Sequence, residues 1–211
     1  MKGRLIIISS PSGGGKGTLI KEVLDSVRQL GYSVSYTTRL PRFGEEEGRH
    51  YHFVNKEEFE EEIAAGSFLE YAEVHGNFYG TSLKHVNAMT DAGQDVILEI
   101  DVQGADWVRK RVPDVLGIFI MPPSFAVLKA RLIARGTENH DDLALRLANA
   151  REEVMEYAKF DYIIINDEIF SAARKLAAVI MGERQRRDRQ TEAICDILDS
   201  FDVSKHHLPG E

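Results

Sequence analysis

Cysteine is almost missing from this chain: Cys195 is the only one in 211 residues, so no intramolecular disulfide can form and a cysteine-rich zinc site is ruled out. A reducing compartment fits that usage. Long apolar runs are missing as well. No stretch approaches the ~20 residues needed to cross a bilayer, and the segment from Met1 to Ser10 lacks the length of a secretory signal. We therefore expect a soluble, cytoplasmic protein with no membrane partner. Positive charge is in deficit, with 26 Lys and Arg against 34 Asp and Glu and a formal net charge of -8. That balance repels a polyanion at long range, which disfavours nucleic acid as a partner and leaves small phosphorylated ligands open. Internal repeats and low-complexity tracts are absent too.

What the chain does have is 43% hydrophobic residues, enough to bury a substantial core as one domain. Short runs rich in Ile, Val and Leu occur at Leu5 to Ile8, Val96 to Ile100, Val115 to Ile120 and Tyr162 to Ile165, alternating with longer helical patterns such as Lys16 to Leu30. Such runs carry little period-2 alternation, as expected of parallel strands covered by helices on both faces. The expected core is therefore a three-layer α/β arrangement. Between about Tyr36 and Thr90 the pattern turns aromatic and glycine-punctuated around one acidic helix near Lys56 to Ala65, which predicts a smaller inserted β-containing subdomain. At Leu132 to Leu147, the turn formers Gly136, Thr137, Asn139 and Asp141 interrupt a helical pattern, the signature of a lid.

Directly after the first apolar run comes Ser10-Pro11-Ser12-Gly13-Gly14-Gly15-Lys16-Gly17-Thr18, opening a helix. This is similar to a Walker A loop in its strand–loop–helix setting. Glycines let the backbone curl so that successive N–H groups face a phosphate, and Lys16 adds a point charge. Two positions depart from the pattern. Ser10 stands where the first glycine belongs, and Gly17 where a magnesium-coordinating hydroxyl belongs, although Thr18 follows. The phosphate site is expected to survive, with Mg²⁺ accompanying ATP and held through waters rather than by a protein ligand.

Arg39 and Arg42 flank Pro41, whose ring keeps Leu40 extended and places both arginines on a loop. Two planar forks suit a monophosphate, and Tyr51 and Tyr79 can add hydroxyl donors; the competing reading is a solvated basic loop beside two core aromatics. Arg131 and Arg135 lie four apart on a predicted helix, a like-charge arrangement costing roughly 0.2 to 0.5 kcal/mol unless an anion is near.

The segment from Ser33 to Arg42, with Tyr51-His52-Phe53, Phe68-Leu69-Glu70-Tyr71, Phe78-Tyr79-Gly80-Thr81, Leu98-Glu99-Ile100-Asp101, Arg135-Gly136-Thr137-Glu138 and Ile165-Asn166-Asp167, resembles the guanylate kinase family in the same order along the chain. That resemblance implies a P-loop NTPase core (1–34, 92–125, 148–182), a GMP-binding insert (35–91) and a mobile lid (126–147), together making a domain of residues 1–182. It implies phosphorylation of GMP, and of dGMP, by ATP. Ser10 to Thr18, Arg131 and Asn166 would bind ATP, and Lys16, Arg39, Arg135 and Arg146 would carry the transfer. Ser35, Arg39, Arg42, Tyr51, Glu70, Tyr79, Thr81 and Asp101 would bind GMP, with Glu70 reading the guanine edge. Its rivals are a noncatalytic guanylate-kinase-like binding domain and a related kinase acting on AMP, CMP or dTMP.

No histidine spacing converges on a metal, so no metal ligand is assigned. Arg184, Arg186, Arg187 and Arg189 are broken by Glu183 and Asp188 and read as a solvated helix rather than a nucleic-acid patch. In the C-terminal extension, 183–211, Ile194, Ile197, Leu198 and Phe201 fall at helical spacing, which predicts an amphipathic helix able to dock on the core or on a second copy in a homo-oligomer.

Overall fold

The computed structural model describes residues 2–74, 76–135 and 140–201, with the backbone alone at 135 and 140–142. The first half runs β1 (Leu5–Ser9), α1 (Lys16–Ser26), β2 (Leu30–Tyr32), β3 (Tyr36–Thr37), β4 (His52–Phe53), α2 (Lys56–Ala64), β5 (Phe68–Val74), β6 (Asn77–Ser82) and α3 (Leu83–Asp91). It is followed by β7 (Asp95–Glu99), α4 (Val102–Arg111), β8 (Leu116–Met121), α5 (Phe125–Arg135), α6 (His140–Met155), β9 (Tyr162–Ile165), α7 (Ile169–Arg184) and α8 (Thr191–Ser200).

Five strands pair in the order β2-β7-β1-β8-β9, all parallel, with β1 central. Successive residues of β1 serve opposite faces. Ile6 and Ile8 pack with Leu19, Ile20 and Val23 of α1 and with Leu176 and Ile180 of α7. Leu5 and Ile7 pack with Val86 of α3 and Ala105 and Val108 of α4. This is the three-layer α/β core that the apolar runs predict, and burial on both faces explains why those runs do not alternate. The observed strand bounds differ from the expected ones by a residue, as strand ends commonly do.

A second sheet, β4-β3-β6-β5, occupies the aromatic stretch, with β3 and β4 parallel and the other pairs antiparallel. Phe59 of α2 stacks on Phe68 and Phe78, which anchors the acidic helix to this sheet through its one buried residue. Asn55 and Glu58 form a capping box that starts that helix.

Two sequence expectations need correction. The helix after the loop stops at Ser26 rather than Leu30, because Val27 is extended and Leu30 begins β2. Arg184 and Arg189 are not solvated: both bond the buried carboxylate of Asp95, at 2.7 and 3.0 Å. The tail helix forms as α8, but Ile197, Leu198 and Phe201 stay exposed within the chain. The lid turn at Gly136, Thr137 and Asn139 lies outside the described residues, as does the side chain of Asp141. Among the described residues, no helix is long and apolar enough to cross a membrane.

Candidate active site

The glycine loop leaves the end of β1 and enters α1 at Gly15, which sits at φ 87° and caps the helix without a side chain. A Cβ there would meet Asn166 Nδ2 at 2.5 Å, so the position demands glycine on both conformational and steric grounds. Asn166 Nδ2 donates to the Gly14 carbonyl at 2.9 Å, and Arg131 Nη2 donates to the Asn166 carbonyl at 2.9 Å. The loop thus rests on the end of β9 and on α5. Its Ser12 N–H donates to Glu153 Oε2 of α6 at 2.9 Å.

Gly17 follows Lys16 on the first turn of α1, and a Cβ built there would lie 3.7 and 3.9 Å from the two oxygens of Glu99. Glu99 ends β7 beside the loop and accepts a bond from the Tyr32 hydroxyl at 3.1 Å. Burial, followed by the Glu99 charge, pushes the Tyr32 hydroxyl far up, so it remains a donor.

On the other side of the cleft, β5 and β6 slip register between Phe68 and Glu70, which leaves Leu69 as the extra residue of a bulge. Leu69 packs into the core with Leu5 and Val86, while Glu70 lines the cleft at only 4% exposure. Thr81 Oγ1 donates to Glu70 Oε1 at 2.5 Å. Burial outweighs that bond and, with the charge of Asp101, pushes the Glu70 carboxyl up to about 7. Asp101 caps α4 by accepting the Gly104 N–H at 2.9 Å, and a Cβ on Gly104 would come within 2.8 Å of Glu70 Oε2.

Arg39 Nη2 donates to both oxygens of Glu45 at 2.8 and 2.9 Å, and the Arg42 N–H donates to Glu45 Oε2 at 2.7 Å. One carboxylate therefore ties the two arginines together. Burial opposes the charge on each partner of the Arg39–Glu45 pair, yet the bonds between them win, raising the arginine and lowering the glutamate. The Tyr51 ring lies 5.3 Å from the Arg39 guanidinium, and burial first, then Glu99 and Tyr79, push its hydroxyl up to about 12.

These groups share one cleft of about 270 Å³, lined by the loop from Ser10 to Gly17 on one side and by Ser35, Arg39, Arg42, Tyr51, Glu70, Tyr79 and Asp101 on the other, with Arg146 beside them. A family model described as guanylate kinase matches residues 2–183. The chain belongs to the guanylate kinase family. It is 51% identical to the guanylate kinase of Neisseria meningitidis serogroup A over 199 residues, 94% of this chain and 97% of that protein. It is 47% identical to the guanylate kinase of Symbiobacterium thermophilum over 197 residues, 93% of each. The crystal structure of guanylate kinase from Anaplasma phagocytophilum aligns with a TM-score of 0.74 at 34% identity, covering 89% of both chains.

Not every residue that the guanylate kinase resemblance nominates lines the cleft. Thr18 is exposed on α1, Thr81 stands behind Glu70, and Asn166 and Arg131 brace the loop from beneath. The Arg135 side chain lies outside the described residues. Three carboxylates went unassigned in the sequence: Glu45, Glu99 and Glu153. Glu45 and Glu99 sit next to assigned motifs, whereas no local signal marks Glu153.

Proposed function

We infer that this chain catalyses ATP + GMP → ADP + GDP, with ATP phosphates on the Ser10–Thr18 loop and GMP against the second sheet. The observation that carries the reading is the shared cleft, with a helix-capping glycine loop facing a buried carboxylate and a tethered arginine pair. Guanine presents N1–H and an exocyclic amine on one edge, both donors. The two oxygens of an ionised Glu70 can accept them side by side, whereas adenine would meet Glu70 with the N1 lone pair. Ser35 and Asp101 complete that pocket, and Thr81 holds the Glu70 carboxylate from behind. Arg39 and Arg42, with the hydroxyls of Tyr51 and Tyr79, hold the acceptor phosphate.

An oxygen of that phosphate attacks the terminal phosphorus of ATP, and the bond to the bridging oxygen breaks to release ADP. Lys16, Arg39 and Arg146 offset the charge that builds on the transferring group, and Arg135 joins them by resemblance. The buried Oδ1 of Asn166 lacks a hydrogen-bond partner among the described residues, an acceptor suited to the exocyclic amine of adenine. Among the described residues, no cluster of three or more His, Cys, Asp or Glu side chains could cage a cation. A water-ligated Mg²⁺ fits the space at Gly17, with Glu99 as the nearest carboxylate, and would neutralise charge on the ATP phosphates. We assign residues 35–91 to GMP binding and 126–147 to the lid on the same grounds, and a cytoplasmic location to the whole.

The test is release of ADP from ATP and Mg²⁺ with each monophosphate in turn. GMP should be turned over far faster than AMP, CMP or dTMP. No turnover with any acceptor would favour the noncatalytic binding domain, and a preference for another base would reassign Glu70.

A further inference from the structure

Glu153 has no role in the mechanism above, yet its carboxylate accepts the Ser12 N–H of the phosphate loop at 2.9 Å. A loop N–H carries one hydrogen, and the Ser12 donor cannot serve a carboxylate and a phosphate together. A carboxylate at that point also sets negative charge beside the place where a triphosphate must enter. The contact and a phosphate bonded to the same N–H therefore exclude each other. Arg146 lies seven residues earlier on α6, two turns along the same face, and lines the same cleft as Glu153. One helix face thus presents an anion and a cation to one cleft.

Packing holds α6 in place independently of Glu153. Its Ala150 is buried with Leu128 and Leu132 of α5, beside Leu143 and Leu147. Leu132 in turn lies so close to the loop that a Cβ on Gly13 would sit 2.9 Å from its Cγ. The polar contact at Ser12 can break while the apolar contact at Gly13 persists.

We propose that Glu153 is a positioning residue that docks α6 on the phosphate loop and competes with the phosphates of ATP for the Ser12 N–H. This rests on the reading that the loop binds ATP. Displacing the carboxylate leaves Arg146 as the charged residue of that helix face that lines the cleft.

The experiment is equilibrium binding of ATP to the full chain without GMP, for wild type, Glu153→Gln and Glu153→Ala, at low and high salt. Both variants should bind ATP about two- to fivefold more tightly at low salt, the range of a partly exposed charge contact. The gain should vanish near 1 M salt, where the screening length is about 3 Å. In turnover, KM for ATP should fall while KM for GMP stays level. Weaker ATP binding in both variants would make Glu153 a structural strut and overturn the proposal, as would unchanged affinity at low salt. If Ala fails to fold, the near-isosteric Gln decides. Wild type that binds no ATP would sink the functional reading as well, whereas wild type that binds ATP without tightening in the variants would sink this proposal alone.

Discussion

On the donor side of the cleft, the working groups belong to consecutive residues, Ser10 to Gly17, and most of them are main-chain N–H donors held by a glycine-capped helix. On the acceptor side they are side chains from scattered places: Arg39 and Arg42 on a loop, Tyr51 before β4, Glu70 on β5 and Tyr79 on β6. A site made of backbone depends on conformation and on the absence of side chains. A site made of side chains depends on how a sheet presents them. On the proposed reading, the donor side suits any nucleoside triphosphate phosphate chain, and selectivity among monophosphates is left to the acceptor side.

Four changes probe that division, beginning with the largest expected effect. Lys16→Met should leave a folded protein whose kcat falls about 10²- to 10³-fold with every acceptor, because a charge on the transferring group is lost whichever base is bound. Circular dichroism and steady-state kinetics check it, and near-normal turnover would remove Lys16 from the site. Glu70→Gln should lower kcat/KM for GMP by at least about 10²-fold and leave the trace rate with AMP level or higher, since the new amide donor faces a guanine donor. Equal losses for both bases would make Glu70 structural.

Gly104→Ala touches neither nucleotide directly, but its Cβ would meet Glu70 Oε2 at 2.8 Å. Overpacking of about 1–3 kcal/mol should shift that carboxylate and raise KM for GMP about tenfold, leaving KM for ATP unchanged. A rise in both constants would mean that the substitution disturbs the core rather than the base pocket.

The smallest effect is one of pH. The Glu70 carboxyl is pushed up to about 7, so in the empty protein it is largely neutral below that pH and ionised above it. Guanine needs the ionised form, and KM for GMP should therefore climb as pH falls below about 7, by no more than about tenfold per unit. The sign for stability is opposite. A raised carboxyl favours the folded state at low pH, and this contribution fades as pH rises from the ordinary carboxylate range through about 7. Glu70→Gln should flatten both dependences, and any slope in KM that survives belongs to the substrate phosphate, whose second ionisation lies near 6. An unaltered KM profile in the variant would contradict the assignment.

The same division governs what could be read from the chain. The loop from Ser10 to Thr18 was legible because its chemistry lies in adjacent residues between an apolar run and a helix pattern. Arg39 and Arg42 were legible because Pro41 sets them on a loop. Glu70 was not legible on its own spacing: a bulge that turns Leu69 inward and Glu70 toward the cleft leaves no period to detect, and only family resemblance pointed to it. Strand β2 escaped because Leu30–Tyr32 has no apolar run and follows a helix whose end carries no Gly or Pro stop signal. The pairing of Arg184 and Arg189 with Asp95 spans 89 and 94 residues, a separation at which charge patterning says nothing. Glu153 likewise meets Ser12 across 141 residues.

The bulge in β5 makes base choice and folding neighbours in the covalent sense. Leu69 belongs to the core packed on one face of the parallel sheet, and the residue bonded to it is the one proposed to read the base. A rigid lever one peptide long joins them, so a change that repacks the core near Val86 or Leu5 is transmitted to the carboxylate without touching the cleft. Fidelity for guanine should then be the first property to erode as this face of the core loosens, with misphosphorylation of other bases appearing at temperatures where the protein is still folded.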